Sequence, residues 1–434
     1  MRVWRNWGRT QICRPALVAK PRSEAELLGL LADAARDGHR VKCVGAGHSF
    51  TDIACTDGVM IDLSRYDAVV DVDRAAKTIT VQSGISIRKL NHALAEHGLA
   101  MPNLGDIAYQ TISGAISTAT HGTGRMLGNL ATFVKSMRLL CADGSVLDCS
   151  LVNDEQVYRA AQVSLGSLGI ISTLTLQVSD AFNLEARESA ADLDETLVSL
   201  DELVDGNEHF EFFWFPHTTR VYRKANNRTD ARATPRSRLR DFRDEVLLEN
   251  AAFGAAAKVG KARPEWIPAI AQKAVASSLG DRHRVDRSDK IFASTRLVRF
   301  AEMEYAIPRS HARGAIETLR RTIDDRGFKV NFPVEFRFVA ADDILLSPAH
   351  GRQTCYIAVH LYKGMDYQPY FRAVEEIMRS FDGRPHWGKL HFREAADLRP
   401  AYPRWDDFAA VRAKLDPDGR FRNPYLDRVL GPPA

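Results

Sequence analysis

Apolar residues recur along this chain with two different periods, and the switches between them mark out its elements. Leu27, Leu28, Leu31, Ala34 and Ala35 follow at helical spacing behind a Ser23/Glu26 capping box, with Gly38 as a stop, and predict a first helix. Short apolar runs then predict strands at 40–44 (RVKCV), 58–63 (GVMIDL), 68–73 (AVVDVD) and 78–84 (TITVQSG). The helical period returns over 86–98 (SIRKLNHALAEHG), again closed by glycine. Beyond a glycine-rich stretch at 105–128, residues 135–150 read as a hairpin around Asp143-Gly144, and 168–178 as a buried strand.

From about 185 the texture changes. Residues 209–215 (HFEFFWF) form an aromatic strand, and 220–245 is polar and arginine-rich. That stretch reads first as a solvated insertion or mobile loop, and second as a docking surface for an acidic partner or a membrane. Residues 250–280 are alanine-rich and helical in pattern, while 294–308, 332–341 and 355–362 alternate as strands of a sheet with one buried and one working face. No internal repeat stands out. Helices mixed with many short strands over 434 residues predict an α+β protein of two domains.

Composition narrows the classes. A net charge of +4 offers no concentrated basic face for nucleic acid. No run of apolar residues is long enough to span a bilayer, and the N-terminus lacks the apolar core of a signal peptide. The cysteines at 13, 43, 55, 141, 149 and 355 are scattered without metal-site spacing. Such thiols predict a reducing, cytoplasmic setting, with peripheral attachment to a membrane left open.

Candidate chemistry begins at VGAGHSFTDIACTDG (44–58). Gly45 and Gly47 let the backbone turn sharply, so that amides of Gly45, Ala46, Gly47 and Ser49 can cradle a pyrophosphate, with His48 pressed against whatever is held. The plainer alternative is a turn histidine bonded to local backbone. GAGHSF lacks the third glycine of a Rossmann fingerprint. Two further small-residue runs, ISGAISTATHGTGR (112–125) and SLGSLGI (164–170), favour one large cofactor over three unrelated turns. Nucleophile-elbow, Walker A and HExxH motifs are absent. His386 and His391 are badly spaced for a shared ion, and no metal is expected. In the second half, Glu335 and Arg337 share one face of a strand, His360 lies on another, and RPHWGK (384–389) is a compact polar-aromatic motif. These suit a hydroxylated substrate, against the alternative of surface ion pairs and a structural turn.

Taken in order, VGAGHSFTDIACTDGVMIDL, SGAISTATHGTG, SLGSLGIIS, EMEYAIP, RPHWGK and LDPDGRFRNPYL (415–426) resemble the aldonolactone oxidoreductases of the vanillyl-alcohol-oxidase type. The likeness extends to bacterial gulonolactone oxidases and dehydrogenases and to alditol oxidases. It implies an FAD domain of the p-cresol-methylhydroxylase type over 1–180, completed by 390–434, and a cap over 181–389 built on a large antiparallel sheet. It implies FAD carried covalently by His48. Gly45, Ala46, Gly47, Ser49, Ser113, Gly114, Thr118, Thr120 and His121 would line the pyrophosphate, Ile170 the adenine side, and His386 the flavin ring. Glu335, Arg337, His360, Lys389 and Asp106 would form the catalytic, substrate-facing set. Asp106 stands where alditol oxidases have serine, which favours a lactone over a linear polyol. Gly105 stands where relatives place a small residue beside the flavin, and glycine there favours access of oxygen. The implied reaction moves a hydride from C2 of a lactone such as L-gulono-1,4-lactone to flavin N5. The Glu335/Arg337/Lys389 group assists, and the product enolises to an ascorbate-type ene-diol. The electron acceptor is O2, or a cytochrome or quinone. An alditol oxidase and a non-catalytic flavin- or sugar-binding protein remain as alternatives.

Overall fold

The computed structural model describes residues 3–234, 250–278, 280–293 and 297–432. The first predicted helix runs Glu24–Arg36, with the Ser23 hydroxyl accepting from the Glu26 amide and Glu26 accepting in return from the Arg22 amide. A small parallel sheet then joins β1 (Leu17–Ala19), β2 (Val41–Val44) and β3 (Val59–Asp62), with β3 in the middle. Parallel pairing buries both faces, so β2 and β3 are apolar apart from the terminal Asp62 and from Lys42, whose buried ammonium donates to the Gly166 and Phe421 carbonyls. A five-stranded antiparallel sheet holds β4 (Val69–Asp73), β5 (Thr78–Gln82), β6 (Val134–Leu140), β7 (Val146–Ser150) and β8 (Ile170–Gln177), in the order β7-β6-β8-β5-β4. β6 and β7 are the predicted hairpin.

The third sheet has eight strands: β9 (Asn183–Asp192), β10 (His209–Trp214), β11 (Arg220–Thr229), β12 (Arg282–Arg287), β13 (Phe300–Pro308), β14 (Val334–Val339), β15 (Thr354–Tyr362) and β16 (Arg384–Pro385). Its spatial order is β12-β9-β11-β10-β14-β15-β13-β16, every neighbour antiparallel. Its two faces differ sharply in chemistry. Phe210, Phe212, Trp214, Phe336, Phe338, Met303, Tyr305, Ile357 and Val359 turn to one side and pack with residues of helices Ala312–Asp325 and Gln368–Ser380. Register places Glu211 beside Arg337, Arg337 beside Tyr356, Glu335 beside Ala358, and Glu302 beside His360. Those residues therefore share the opposite face.

The arginine-rich stretch departs from expectation. Its first ten residues are β11, paired along their whole length with β9 and over 221–226 with β10, because Val221, Ala225 and the aliphatic stems of Arg223 and Lys224 fit a pleated surface. Residues 235–249, the rest of that stretch, lie outside the described residues, as do 294–296 at the start of the strand predicted over 294–308. The alanine-rich segment forms two helices, Asn250–Ala262 and Ile267–Ser278. No described helix is long and apolar enough to cross a membrane.

The chain's end returns to the first core. Trp405, Phe408, Val411, Tyr425, Leu426 and Val429 pack with residues of β5, β6 and β8. Asn423 Nδ2 donates to the carbonyls of Asp52, Ile53 and Cys55, bracing the segment after His48, while its Oδ1 caps helix Pro424–Leu430.

Candidate active site

The three small-residue runs meet along a groove of about 920 Å³ that opens to solvent. Gly45, Ala46, Gly47, His48 and Ser49 form one wall, Ser113, Gly114 and Thr118 another, and Gly166, Gly169 and Ile170 the far end. Close approach dictates the glycines: a Cβ on Gly45 would collide with Thr111 Oγ1, and Gly47 has φ +66°. Among the described residues the amides of Ala46, Gly47, His48 and Ser49 donate to no carbonyl. Ser113 and Gly114 stand in the first turn of helix Ile112–Ser117, where amides lack intrahelical partners. Such donors fit an anion, and an elongated groove lined by them fits the pyrophosphate and adenosine of FAD.

His48 marks the other end of the groove. Its ring stacks on Trp7 at 5.4 Å between centroids. Burial, and then the Lys389 ammonium, push its pKa down to about 4, so the imidazole is neutral and nucleophilic near pH 7. Lys389 itself sits 5.3 Å above the Phe50 ring. The RPHWGK turn reaches this point through its backbone: His386 and Leu390 donate to Glu304 and Glu302 carbonyls, and Phe50 donates to the Gly388 carbonyl at 2.7 Å.

Here the polar face of the large sheet closes over the groove's end. Arg337 pairs with Asp106 at 2.7 Å, Glu211 at 2.8 Å and Glu335 at 2.5 Å. Lys224 pairs with Glu211 at 3.0 Å. Lys389 pairs with Glu302 at 2.5 Å and approaches Glu304 at 4.0 Å. Burial works against the charged form of Lys389, but Glu302 and Glu304 outweigh it and hold its pKa above the ordinary value. Burial likewise tends to raise the Glu302 carboxyl, and the Lys389 ammonium with His360 overcomes that and depresses it. Arg337 is stabilised in the same sense by Asp106, Glu335 and Glu211 against the cost of burial.

Two residues expected to line the pyrophosphate, Thr120 and His121, are not among those that line the groove. His121 is turned away from the groove: Nδ1 meets the Gly122 carbonyl at 2.8 Å, Nε2 meets Glu304 at 3.1 Å, and the ring stacks on Tyr356 at 3.6 Å. Thr120 lies beside Gly105, 3.7 Å from where a Cβ on that glycine would stand. A Cβ on Gly105 would come within 2.9 Å of the His121 carbonyl, so close packing favours glycine there. His386 is buried and accepts from the Gly388 amide through Nδ1 at 3.0 Å. Burial depresses its pKa to about 3, so it is neutral with its proton on Nε2. His360 reaches Glu302 at 3.3 Å among the rings of Phe300 and Phe332.

Sequence reasoning missed Glu211, Glu302, Glu304 and Lys224, and so left out most of the ion pairs of Arg337 and Lys389. The signal was available: a carboxylate at alternate positions of an otherwise apolar strand, as in HFEFFW and FAEMEY, is a buried charge that requires a partner. His121, Glu304 and His386 also bring three ligand-type atoms within 4.8 Å of one another, but the Lys389 ammonium beside Glu304 opposes a cation there.

Comparison with known proteins agrees with this arrangement. Residues 174–429 match the family described as D-arabinono-1,4-lactone oxidase, and residues 15–150 match one described as an FAD binding domain. An L-gulono-1,4-lactone dehydrogenase of Mycobacterium tuberculosis is 46% identical over 99% of both chains. An L-gulonolactone oxidase of Bos taurus is 37% identical and an alditol oxidase of a Streptomyces species 30%, each over 98% of both chains. A solved structure of a solvent-stable cholesterol oxidase shares the fold, with a TM-score of 0.84 at 20% identity over 98% of this chain and 96% of that one. The chain belongs to the aldonolactone oxidoreductase family of vanillyl-alcohol-oxidase-type flavoproteins.

Proposed function

We propose that the protein oxidises an aldonolactone, L-gulono-1,4-lactone or a close relative, at C2, using FAD linked covalently to His48. The observation that carries this reading is the meeting of the groove and the charged sheet face at His48, whose imidazole lies under the influence of Lys389. We assign residues 1–180 with 390–434 to the cofactor side and 181–389 to the substrate side, and place the protein in the cytoplasm on its scattered free thiols.

When bound, FAD supplies a hydride acceptor. The chain supplies the rest. Gly45 to Ser49, Ser113, Gly114 and Thr118 hold the pyrophosphate through amides and hydroxyls, with Ile170 against the adenosine. Neutral His48 provides the nitrogen for the covalent link. Lys389 keeps its proton through Glu302 and Glu304 and presents an ammonium to the oxygen that becomes a carbonyl. Asp106, Glu211 and Glu335 hold Arg337 in one orientation, so it needs no reorganisation as charge develops. Glu335 accepts the proton of the reacting hydroxyl while the hydride leaves carbon, which conserves both electrons and the proton. The Asp106–Arg337 pair supports a lactone over a polyol, and the 30% identity to an alditol oxidase against 46% to the lactone dehydrogenase points the same way.

Stopped-flow mixing without air, over a panel of aldonolactones and alditols, tests the proposal. Gulono-lactone should bleach the flavin absorbance fastest, with xylitol and sorbitol slow. Preferential bleaching by an alditol would overturn the substrate assignment, and no bleaching by any of them would overturn the catalytic reading.

A further inference from the structure

One strongly charged region lies outside the chemistry above. Arg5, Arg9, Lys261, Arg299 and Lys363 converge where the N-terminal segment, helix Asn250–Ala262 and the edge of β13 and β15 meet. Lys261 Nζ donates to the Lys363 carbonyl at 3.2 Å, and the Lys363 amide donates to the Arg299 carbonyl at 3.1 Å. A Cβ on Gly8, next to Arg9, would stand 3.5 Å from the Phe300 carbonyl. Among the described residues, none of the five forms an ion pair with a carboxylate. The crowding is felt at Lys363, whose pKa is lowered by slight burial and then by repulsion from Arg9, Arg299, Lys261 and Arg5. Five neighbouring cations with no carboxylate partner among the described residues cost stability, and the field they create is what such a cluster offers in return.

Position gives that field a use. The Trp7 ring, two residues before Arg9, stacks on His48 at 5.4 Å and meets Phe300, the residue after Arg299, at 5.6 Å. The patch therefore covers the aromatic pair that backs the imidazole at 48. We propose that this patch docks an acidic one-electron carrier protein, with Trp7 and His48 bridging it to the flavin. The inference rests on the FAD assignment above. Two carrier molecules each take one electron from the reduced cofactor, and its two protons pass to water. Neutral acceptors such as oxygen or a quinone gain nothing from five cations. Arg5, Arg9 and Lys261 are exposed while Arg299 and Lys363 are half-buried. That recessed distribution suits a projecting acidic surface better than a flat anionic bilayer.

The test uses holoenzyme reduced with dithionite, so its outcome does not depend on the lactone assignment. The probes are a small acidic c-type cytochrome and a basic one, and phosphatidylserine vesicles. Wild-type enzyme should bind and reduce the acidic cytochrome at least ~10-fold faster than the basic one at low salt, with the advantage lost at high salt. The variant Arg5→Glu/Lys261→Glu/Lys363→Glu should lose ~10–100-fold in affinity and rate for the acidic cytochrome, with unchanged flavin content and a thermal midpoint no lower than that of the wild type. Trp7→Leu should slow transfer while leaving cytochrome affinity intact. Equal reaction with both cytochromes, or indifference of the acidic one to charge reversal, would overturn the proposal. So would charge-sensitive binding to the vesicles without binding to either cytochrome.

Discussion

Lys389 and Arg337 are surrounded by the carboxylates that make their burial tolerable, and this coupling governs how either residue can be changed. Lys389→Met leaves Glu302 and Glu304 as buried anions, so it should cost roughly 3–5 kcal/mol of stability, read by denaturant titration. The same change removes a preorganised cation from the reacting oxygen and should slow anaerobic flavin reduction by ~100-fold. A variant that reduces its flavin at the wild-type rate would take Lys389 out of the catalytic set. His48 makes a separate case, since its role is covalent. His48→Ala should release its flavin on acid precipitation while the protein stays folded by circular dichroism, and flavin that remains with the precipitated variant would place the link elsewhere.

At the level of elements, the eight-stranded sheet divides its work by face. Phe212 and Phe336 are fully buried on the apolar side and stack at 4.5 Å with 17° between planes. Phe212→Ala should cost ~3–5 kcal/mol of unfolding free energy through the cavity it leaves. Flavin should remain bound, because the groove is built from other strands and loops. Gly45→Ala should do the opposite, since its Cβ meets Thr111 within the groove wall. Flavin incorporation should fall by more than thermal stability does, as compared by absorbance ratio and calorimetry. Full flavin content in Gly45→Ala would show that the wall moves freely. The alternation that creates these two faces was visible in 332–341 and 355–362. Strand β11 was not, because arginine and lysine in a central strand contradict the usual pattern until their partners Glu188, Glu211 and Thr196 are known.

The whole molecule carries a common pH signature. His48 and His386 are depressed from 6.5 to about 4 and about 3 by burial, and Glu302 lies well below 4.5 through Lys389. For every group with a lowered pKa, the unfolded chain binds more protons in the window between the two values, so stability rises with pH there. The histidine contributions are complete above 6.5 and fade as pH falls toward 4, and the carboxylate contributions fade below 4.5. Asp342, pushed up to about 6 by burial, opposes this trend, as does Asp416, but more groups lie on the other side. The thermal midpoint of the flavin-free His48-intact protein should therefore drop steadily from pH 7 to pH 4. A flat profile across that interval would contradict the burial of neutral imidazoles.

Local chemistry was enough to specify the capped first helix, the hairpin at Asp143-Gly144, the alternating strands and the three small-residue runs, because each follows from periodicity or backbone freedom within a few residues. The likeness of separated motifs was enough for the family. Only the tertiary structure decided that His121 faces Glu304 instead of the groove, that Arg337 has three carboxylate partners, and that β11 is a central strand. Those outcomes depend on residues far apart in the chain meeting in a low-dielectric interior, where a buried charge persists only beside its partner and no local pattern reveals which partner it will find.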